Sequence, residues 1–360
     1  MTVQHPQVAL FEPEELAVIT LPVCDHYAGV HQRMQKSLRL QARMGPVFDV
    51  TLDNEDGAPV GAELEQAQHI AELLDSAENR YGRVGVRLLP LVHPRFGDVL
   101  SEVLKAQRRP AYLMLPKARR LADVQAAVAA IDAAIDAATA TAIETAINTA
   151  IDTPIQAAGA GPVPVHALVE THGALREVAA IAALPRVQSL SFGLMDFVSA
   201  HRGAVPQWAM SAQGQFDHPL VVRAKLEIAA ACHAHGKVPS HCVVTEFKDL
   251  VALREAADKA ADLLGYTRMW SIHPAQIQPI LEAFAPSQAE LEQAIRILQA
   301  AQQAGWAPIS HRSTAGGTAH DTLHDRASYR YFWQLLVRAQ KTAFVGGPQL
   351  PPEVRAAWFA

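Results

Sequence analysis

Between residues 16 and 285, short apolar runs alternate with segments of helical periodicity, and this alternation constrains the fold more than any other feature of the chain. The strand-like runs are Leu16–Leu21, Val47–Leu52, Arg83–Leu89, Ala111–Leu115, Val163–Val169, Val187–Phe192, Lys237–Val244 and Met269–Ile272. They are rich in β-branched and apolar residues and are punctuated by Gly or Pro, as buried strands are. Helical patterns follow at Val30–Arg43, Ala62–Arg80, 97–106, Pro219–His235 and Lys248–Leu264. Strands that alternate with helices imply a parallel sheet, and eight such units imply closure into a (β/α)8 TIM barrel. An open doubly wound sheet is the competing architecture. No Gly-x-Gly-x-x-Gly follows the first run, which argues against a dinucleotide-binding version of it.

Two segments depart from this rhythm. Residues 121–156 form an Ala/Ile-rich run in which Ile131, Ile135, Ile143, Ile147, Ile151 and Ile155 recur at multiples of four. Alanine is the best helix former, so the run reads as a long helix ending before Pro154. A repeat of four overshoots the 3.6-residue turn, and the isoleucine stripe drifts around the helix. The run is an expansion of one barrel helix with no binding role of its own. From about Gly305 the character changes again, through the Gly316-Gly317 link to a helix expected at Asp321–Thr342. The expected organisation is a barrel domain over 1–304 and a helical lid or oligomerisation extension over 305–360.

Composition removes several function classes. The formal net charge of -5 leaves no basic footprint for nucleic acid. No apolar run is long enough to span a bilayer, and the first thirty residues lack a signal-peptide pattern. The three cysteines, Cys24, Cys232 and Cys242, have neither metal nor redox spacing, which suits a reduced cytoplasmic location.

Carboxylates stand at the ends of two runs: Glu170 after Val163–Val169, and Asp196 shortly after Val187–Phe192. The C-terminal rim of a parallel barrel is where its chemistry is built. Two rim carboxylates on neighbouring strands would hold a hard divalent cation such as Mg2+, which prefers oxygen ligands and keeps several waters. The competing account is that both residues cap the helices that follow them.

Several motifs then appear in one order. They are Leu52-Asp53-Asn54-Glu55-Asp56, Val86-Arg87-Leu88, Leu115-Pro116-Lys117, Leu168-Val169-Glu170-Thr171, Phe192-Gly193-Leu194-Met195-Asp196-Phe197 and Trp270-Ser271-Ile272-His273-Pro274-Ala275-Gln276-Ile277, the last followed by Phe284-Ala285-Pro286-Ser287. Together they resemble the family of citrate lyase β subunits, malyl-CoA lyases and related HpcH/HpaI-type aldolases, over most of the chain outside the Ala/Ile-rich run. Asn54, Leu89 and Ala327 depart from the family pattern. So does the first strand end, read at Leu21-Pro22-Val23, where the family has Val-Pro-Gly.

The resemblance implies a Mg2+-dependent carbon–carbon lyase that cleaves or forms a small 3-hydroxyacyl-CoA thioester through an enolate. Glu170 and Asp196 would be the metal ligands. Arg87 would offer a guanidinium fork to a substrate carboxylate or carbonyl. Glu55 and Asp56 would accept hydrogen bonds from metal-bound water, and Lys117 would supply positive charge or pair with Glu55 or Glu170. Lys36, Arg39 and Arg43 would either meet phosphates or form a solvated face. Asp325, on the C-terminal extension, would act as acid/base in a neighbouring subunit's site; the competing account makes it a helix cap or a partner of a nearby arginine. The partners implied are a small-molecule substrate such as a CoA thioester, and further copies of the chain in a trimer or hexamer, with neither nucleic acid nor membrane. Two rival functions share the fold: an aldolase for a free 2-keto or hydroxy acid, and a non-catalytic metal-binding barrel subunit.

Overall fold

The computed structural model describes residues 4–12, 15, 19, 21–148, 162–313, 320–342 and 347–359. They fall into two compact units, one of residues 19–280 and one of residues 1–18 with 281–360. In chain order the elements begin with α1 (Pro6–Leu10), β1 (Cys24–Ala28), α2 (His31–Met44), β2 (Phe48–Asp53), α3 (Glu63–Asp75), β3 (Val84–Arg87), α4 (Phe96–Val103) and β4 (Leu113–Leu115). There follow α5 (Leu121–Asn148), β5 (Val165–Val169), α6 (His172–Arg176), α7 (Val178–Ala182), β6 (Val187–Phe192), α8 (Leu194–Ser199), α9 (Pro219–Ala234) and β7 (Val238–His241). The chain continues through α10 (Leu250–Asp262), β8 (Arg268–Ser271), α11 (Pro274–Phe284), α12 (Gln288–Gln303), β9 (Ile309–Ser313), β10 (His320–His324), α13 (Arg326–Lys341) and α14 (Pro352–Trp358).

The first eight strands form a closed barrel in sequence order, all neighbours parallel, with β1 pairing β8 to shut it. This is the TIM barrel that the strand–helix alternation predicts. Seven of the eight strands overlap the expected runs, β2 running one residue past its run to Asp53 and β8 starting one residue early at Arg268. The first does not: β1 lies at Cys24–Ala28, beyond the run at Leu16–Leu21, of which residues 16–18 and 20 lie outside the described residues. The reason is a polar barrel interior. Asp25 of β1 pairs with Arg268 of β8 at 3.0 Å and accepts hydrogen bonds from the Thr51 and Tyr112 hydroxyls. Arg268 also pairs with Asp49 at 2.6 Å, so these fully buried charges satisfy one another. A strand carrying a carboxylate is thereby made viable, which an apolar pattern does not reveal.

The Ala/Ile-rich run is helical over Leu121–Asn148. Val124, Ala127, Ile131 and Ile135 are buried along its first half. The expected extension towards Pro154, with Ile151 and Ile155, lies outside the described residues.

In the other unit, α12 and α13 pack with Leu10, Leu291, Leu298, Tyr329, Trp333 and Leu336 in one apolar core. The helix expected from Asp321 begins only at Arg326, because His320–His324 pairs antiparallel with Ile309–Ser313. The Gly316-Gly317 link lies outside the described residues. Among the described residues no helix is long and apolar enough to cross a membrane.

Candidate active site

Strand register builds the first half of the site. Asp53 ends β2, Arg87 ends β3, and the two are paired across the ladder. Nε of Arg87 donates to Asp53 Oδ1 at 2.6 Å and Nη2 to Oδ2 at 2.5 Å, while Nη1 lies 3.1 Å from Glu55 Oε2. The guanidinium fork is therefore seated on Asp53, leaving the Nη1 side for Glu55 and the barrel mouth. Burial opposes the Arg87 charge, but hydrogen bonds and attraction from Asp53 outweigh it and raise its pKa. Asp53 also accepts the N–H groups of Glu55 and Gly57 at 2.9 and 2.8 Å, which fixes the turn carrying Glu55 and Asp56. That turn abuts the end of β1 so closely that a Cβ on Gly29 would lie 2.0 Å from the Gly57 carbonyl oxygen.

Lys117 follows Pro116 at the end of β4 with φ 53, a left-handed conformation costly for a residue with a Cβ. Its N–H compensates by donating to Glu170 Oε1 at 2.5 Å. Its ammonium donates to both oxygens of Asp56 at 2.9 and 3.0 Å, pairs with Glu55, and lies 4.0 Å from Asp196. The pairing with Glu55 is one of the two roles expected of the side chain; the contact to Glu170 comes from its backbone. Burial acts against the Lys117 charge, but its hydrogen bonds to Glu55 and Asp56 raise its pKa. Burial also raises Glu55 despite Arg87 and Lys117, whereas for Asp56 the Lys117 ammonium overcomes burial and lowers it.

Glu170 directly follows β5 and is 3% exposed. It does not cap the next helix. Thr171 does, accepting the Ala174 N–H at 3.1 Å and donating to the Ala118 carbonyl at 2.8 Å. Asp196 lies in the first turn of α8, half-exposed. The approach of β6 to Glu170 needs glycine: a Cβ on Gly193 would fall 2.3 Å from Glu170 Oε2. Burial, then the charge of Asp196, push the Glu170 carboxyl up to about 8, with the Lys117 N–H opposing them.

The rim thus gathers five carboxylates, Asp53, Glu55, Asp56, Glu170 and Asp196, around two cations, Arg87 and Lys117. The donor set fits a hard divalent cation. Glu170 and Asp196 supply oxygens, and among the described residues no group of three His, Cys, Asp or Glu forms a closed metal cage. Two carboxylates with positions left for water and substrate suit Mg2+. Of the residues expected at the site, six converge here. Asp325 belongs to the other unit, where it caps α13, its Oδ1 accepting the N–H groups of Ala327 and Ser328 at 3.0 and 3.3 Å. Arg330, the partner considered for it, pairs with Glu15 instead.

Two features went unread in the sequence. Asp53 lies inside a quoted motif, yet only strand register shows that it orients Arg87. Beneath Arg87 lies an apolar cluster of Tyr27, Tyr112, Met114, Leu168 and Trp270. Tyr27 stacks on Trp270 with ring centroids 4.3 Å apart, and its hydroxyl donates to Met114 Sδ. Beside it opens a cavity of about 710 Å3 lined by His26, Tyr27, Arg33, Lys36, Ser37, Phe247, Ile272, His273 and Pro274. Of the three basic residues considered for phosphate, only Lys36 faces it, joined by Arg33; Arg39 pairs with Glu78. His273 has a structural place, its Nδ1 accepting the Ala275 N–H and its carbonyl the Ser271 hydroxyl.

Residues 37–274 match the family model for HpcH/HpaI aldolase/citrate lyase. Among solved structures, a citrate lyase from Burkholderia xenovorans LB400 is 50% identical, with TM-score 0.79 over 98% of this chain and 99% of that one. The L-malyl-CoA/beta-methylmalyl-CoA lyase of Rhodobacter capsulatus is 29% identical over 311 residues, 82% of this chain and 88% of that protein. Protein CitE from Mycobacterium tuberculosis, in complex with magnesium, acetoacetate and coenzyme A, shares the fold at 20% identity and TM-score 0.64, over 90% of this chain and all of that one.

Proposed function

Because the chain belongs to the HpcH/HpaI aldolase/citrate lyase family, we propose that it is a Mg2+-dependent carbon–carbon lyase acting on a small 3-hydroxyacyl-CoA thioester. The relatives named malyl-CoA lyase and citrate lyase support the reaction class, and the CitE complex supports magnesium and coenzyme A as ligands. One observation carries the reading to this chain's own residues: the rim holds three more carboxylates than cations, with the buried Glu170 beside Asp196. Such an excess is relieved by a proton on Glu170 or by a bound cation, and a cation at the pair lets both carboxylates ionise.

In the cleavage direction the bond between the thioester α-carbon and the carbinol carbon breaks. The electron pair stays on the α-carbon as an enolate, the hydroxyl loses its proton and becomes a carbonyl, and the enolate then takes up a proton. Nothing is oxidised. Mg2+ held by Glu170 and Asp196 would supply Lewis acidity and orientation for the acid fragment. The Arg87 Nη1 side faces the charge that develops, pre-aimed by Asp53, so no reorganisation is needed as that charge grows. Glu55 and Asp56 accept hydrogen bonds from water in the mouth, and Lys117 holds the pair in place. Asp325 would exchange the enolate proton from an adjoining copy of the chain, which makes the working protein a homo-oligomer.

The test is deuterium exchange at the α-carbon of acetyl-CoA, propionyl-CoA and pyruvate, followed by NMR with Mg2+ for wild type and Glu170→Ala. Metal-dependent exchange of a thioester that the substitution abolishes is the expected result. Exchange of pyruvate alone identifies a keto-acid aldolase, and Mg2+ binding without any exchange identifies a non-catalytic barrel.

A further inference from the structure

We infer that Tyr27 sets the depth of the active site and so selects the size of the acyl group, a role that rests on the lyase reading and extends it. Three observations converge on its ring. Its face lies against Trp270, the Arg87 guanidinium carbon sits 5.4 Å from its centroid, and its hydroxyl is tied to Met114. The ring is therefore fixed on three sides and only 9% exposed. Below it the barrel is closed by a polar layer in which Thr51 and Tyr112 hydrogen-bond Asp25 and Asp25 pairs with Arg268. A substrate group can descend past Arg87 only as far as Tyr27.

Tyr27 also lines the 710 Å3 cavity that carries Arg33 and Lys36. It is the residue shared by that cationic cavity and the Arg87 cluster. A ligand with an anionic tail at Arg33 and Lys36 and its reacting end at Arg87 must cross the Tyr27 ring with its acyl part. The substituent on the thioester α-carbon then presses on Tyr27, which favours acetyl over longer or branched acyl groups. One methylene in an apolar pocket changes discrimination by roughly 10- to 200-fold.

The experiment compares wild type, Tyr27→Phe and Tyr27→Leu in two series. The first is kcat/KM for condensation of glyoxylate with acetyl-CoA, propionyl-CoA and butyryl-CoA. The second is calorimetric binding of pyruvate, 2-oxobutyrate and 2-oxovalerate with Mg2+. Tyr27→Leu is expected to move the preference towards longer groups by tenfold or more, while Tyr27→Phe, which keeps the ring, holds the wild-type ratio within threefold. A wild-type ratio retained in folded Tyr27→Leu overturns the assignment. So does a shift of equal size in Tyr27→Phe, since that would assign selection to the hydroxyl and not to the ring's depth. If wild type binds keto acids but turns over no thioester, the lyase reading fails while the binding series still judges Tyr27; recognition of neither series overturns both.

Discussion

Removing the Arg87 guanidinium leaves the buried Asp53, 2.5 Å from it, without its cationic partner, while Glu55 keeps Lys117. Breaking one partner out of a buried ion pair costs about 3–5 kcal/mol, because the remaining charge stays uncompensated. Arg87→Ala is accordingly expected to lower unfolding stability by about that amount, read from urea midpoints, and to abolish turnover. A fall in activity without a fall in stability would mean that Asp53 does not depend on Arg87 for its charge. Gly193 gives a second test. Gly193→Ala pushes a methyl to 2.3 Å from Glu170 Oε2 and 2.5 Å from its Cβ, so the buried Glu170 must shift, Mg2+ affinity should drop at least tenfold and Tm should fall as well. Unchanged calorimetric affinity would remove Glu170 from the metal site. At this scale the sequence was informative where chemistry coincides with strand ends: Glu55, Asp56, Arg87, Lys117, Glu170 and Asp196 all lie where their motifs put them. Asp53 and Tyr27 were not legible as site residues, because their roles depend on contacts with Arg87 made across neighbouring strands.

Among the elements, α2–α5, α9, α10 and most strands follow from periodicity, since β2–β6 keep apolar or β-branched residues, whereas α1, α12 and α14 were not read from the sequence. β1 escaped because two of its five residues, Asp25 and His26, are ionisable; Asp25 is satisfied by Arg268 of β8 with the Thr51 and Tyr112 hydroxyls, and His26 by Ser271 of β8, and both β8 partners lie more than 240 residues away. β10 escaped because His-Asp-Thr-Leu-His has no apolar face; its pairing with β9 and the cap that follows at Asp325 decide its form. Buried polarity recurs where α9 packs on β7. Lys225 is fully buried, donates to Gln215 Oε1 at 2.8 Å and sits 3.9 Å above the Phe216 ring. Burial pushes its pKa down to about 8 from 10.5, with Cys242 opposing. Between those values the unfolded chain holds a proton that the folded chain lacks, so this group makes stability rise with pH across that window. Below it both states are charged, and the folded state bears a cost of about 3 kcal/mol. Lys225→Met is expected to be more stable than wild type at pH 7, with an advantage that shrinks as pH rises to 10.5. Denaturant midpoints at pH 7 and pH 10 measure this, and the difference between the two proteins isolates Lys225 from the buried cysteines and tyrosines. A constant difference, or a less stable variant at pH 7, would refute the account.

For the molecule as a whole, the open matter is what the second unit contributes to the chemistry. Asp325 is exposed and occupied with its own helix: it joins β10 to α13 and forms a reciprocal capping box with Ser328. Removing a cap of this kind costs about 1 kcal/mol, too little to account for loss of catalysis. Asparagine caps as well as aspartate but cannot donate or accept the proton of an acid/base pair in the same way. Asp325→Asn therefore separates the two roles. Its Tm should match wild type within a few degrees, while kcat falls by about 100- to 10,000-fold if Asp325 handles the enolate proton. The location of that function follows from mixing. Glu170→Ala removes the metal ligand from the barrel, and Asp325→Asn removes the acid/base from the extension. If each site is completed by an adjoining copy, hybrids formed by co-refolding the two inactive variants contain some sites with both wild-type residues. Activity should then rise at least tenfold above either parent, in assemblies whose mass fits a trimer or hexamer. If Asp325 served the barrel of its own chain, no hybrid site would be whole in the way mixing can restore, because wild-type Glu170 and wild-type Asp325 would never share a chain. Full activity of Asp325→Asn alone would leave the residue as a cap and move the proton-transfer role elsewhere at the rim.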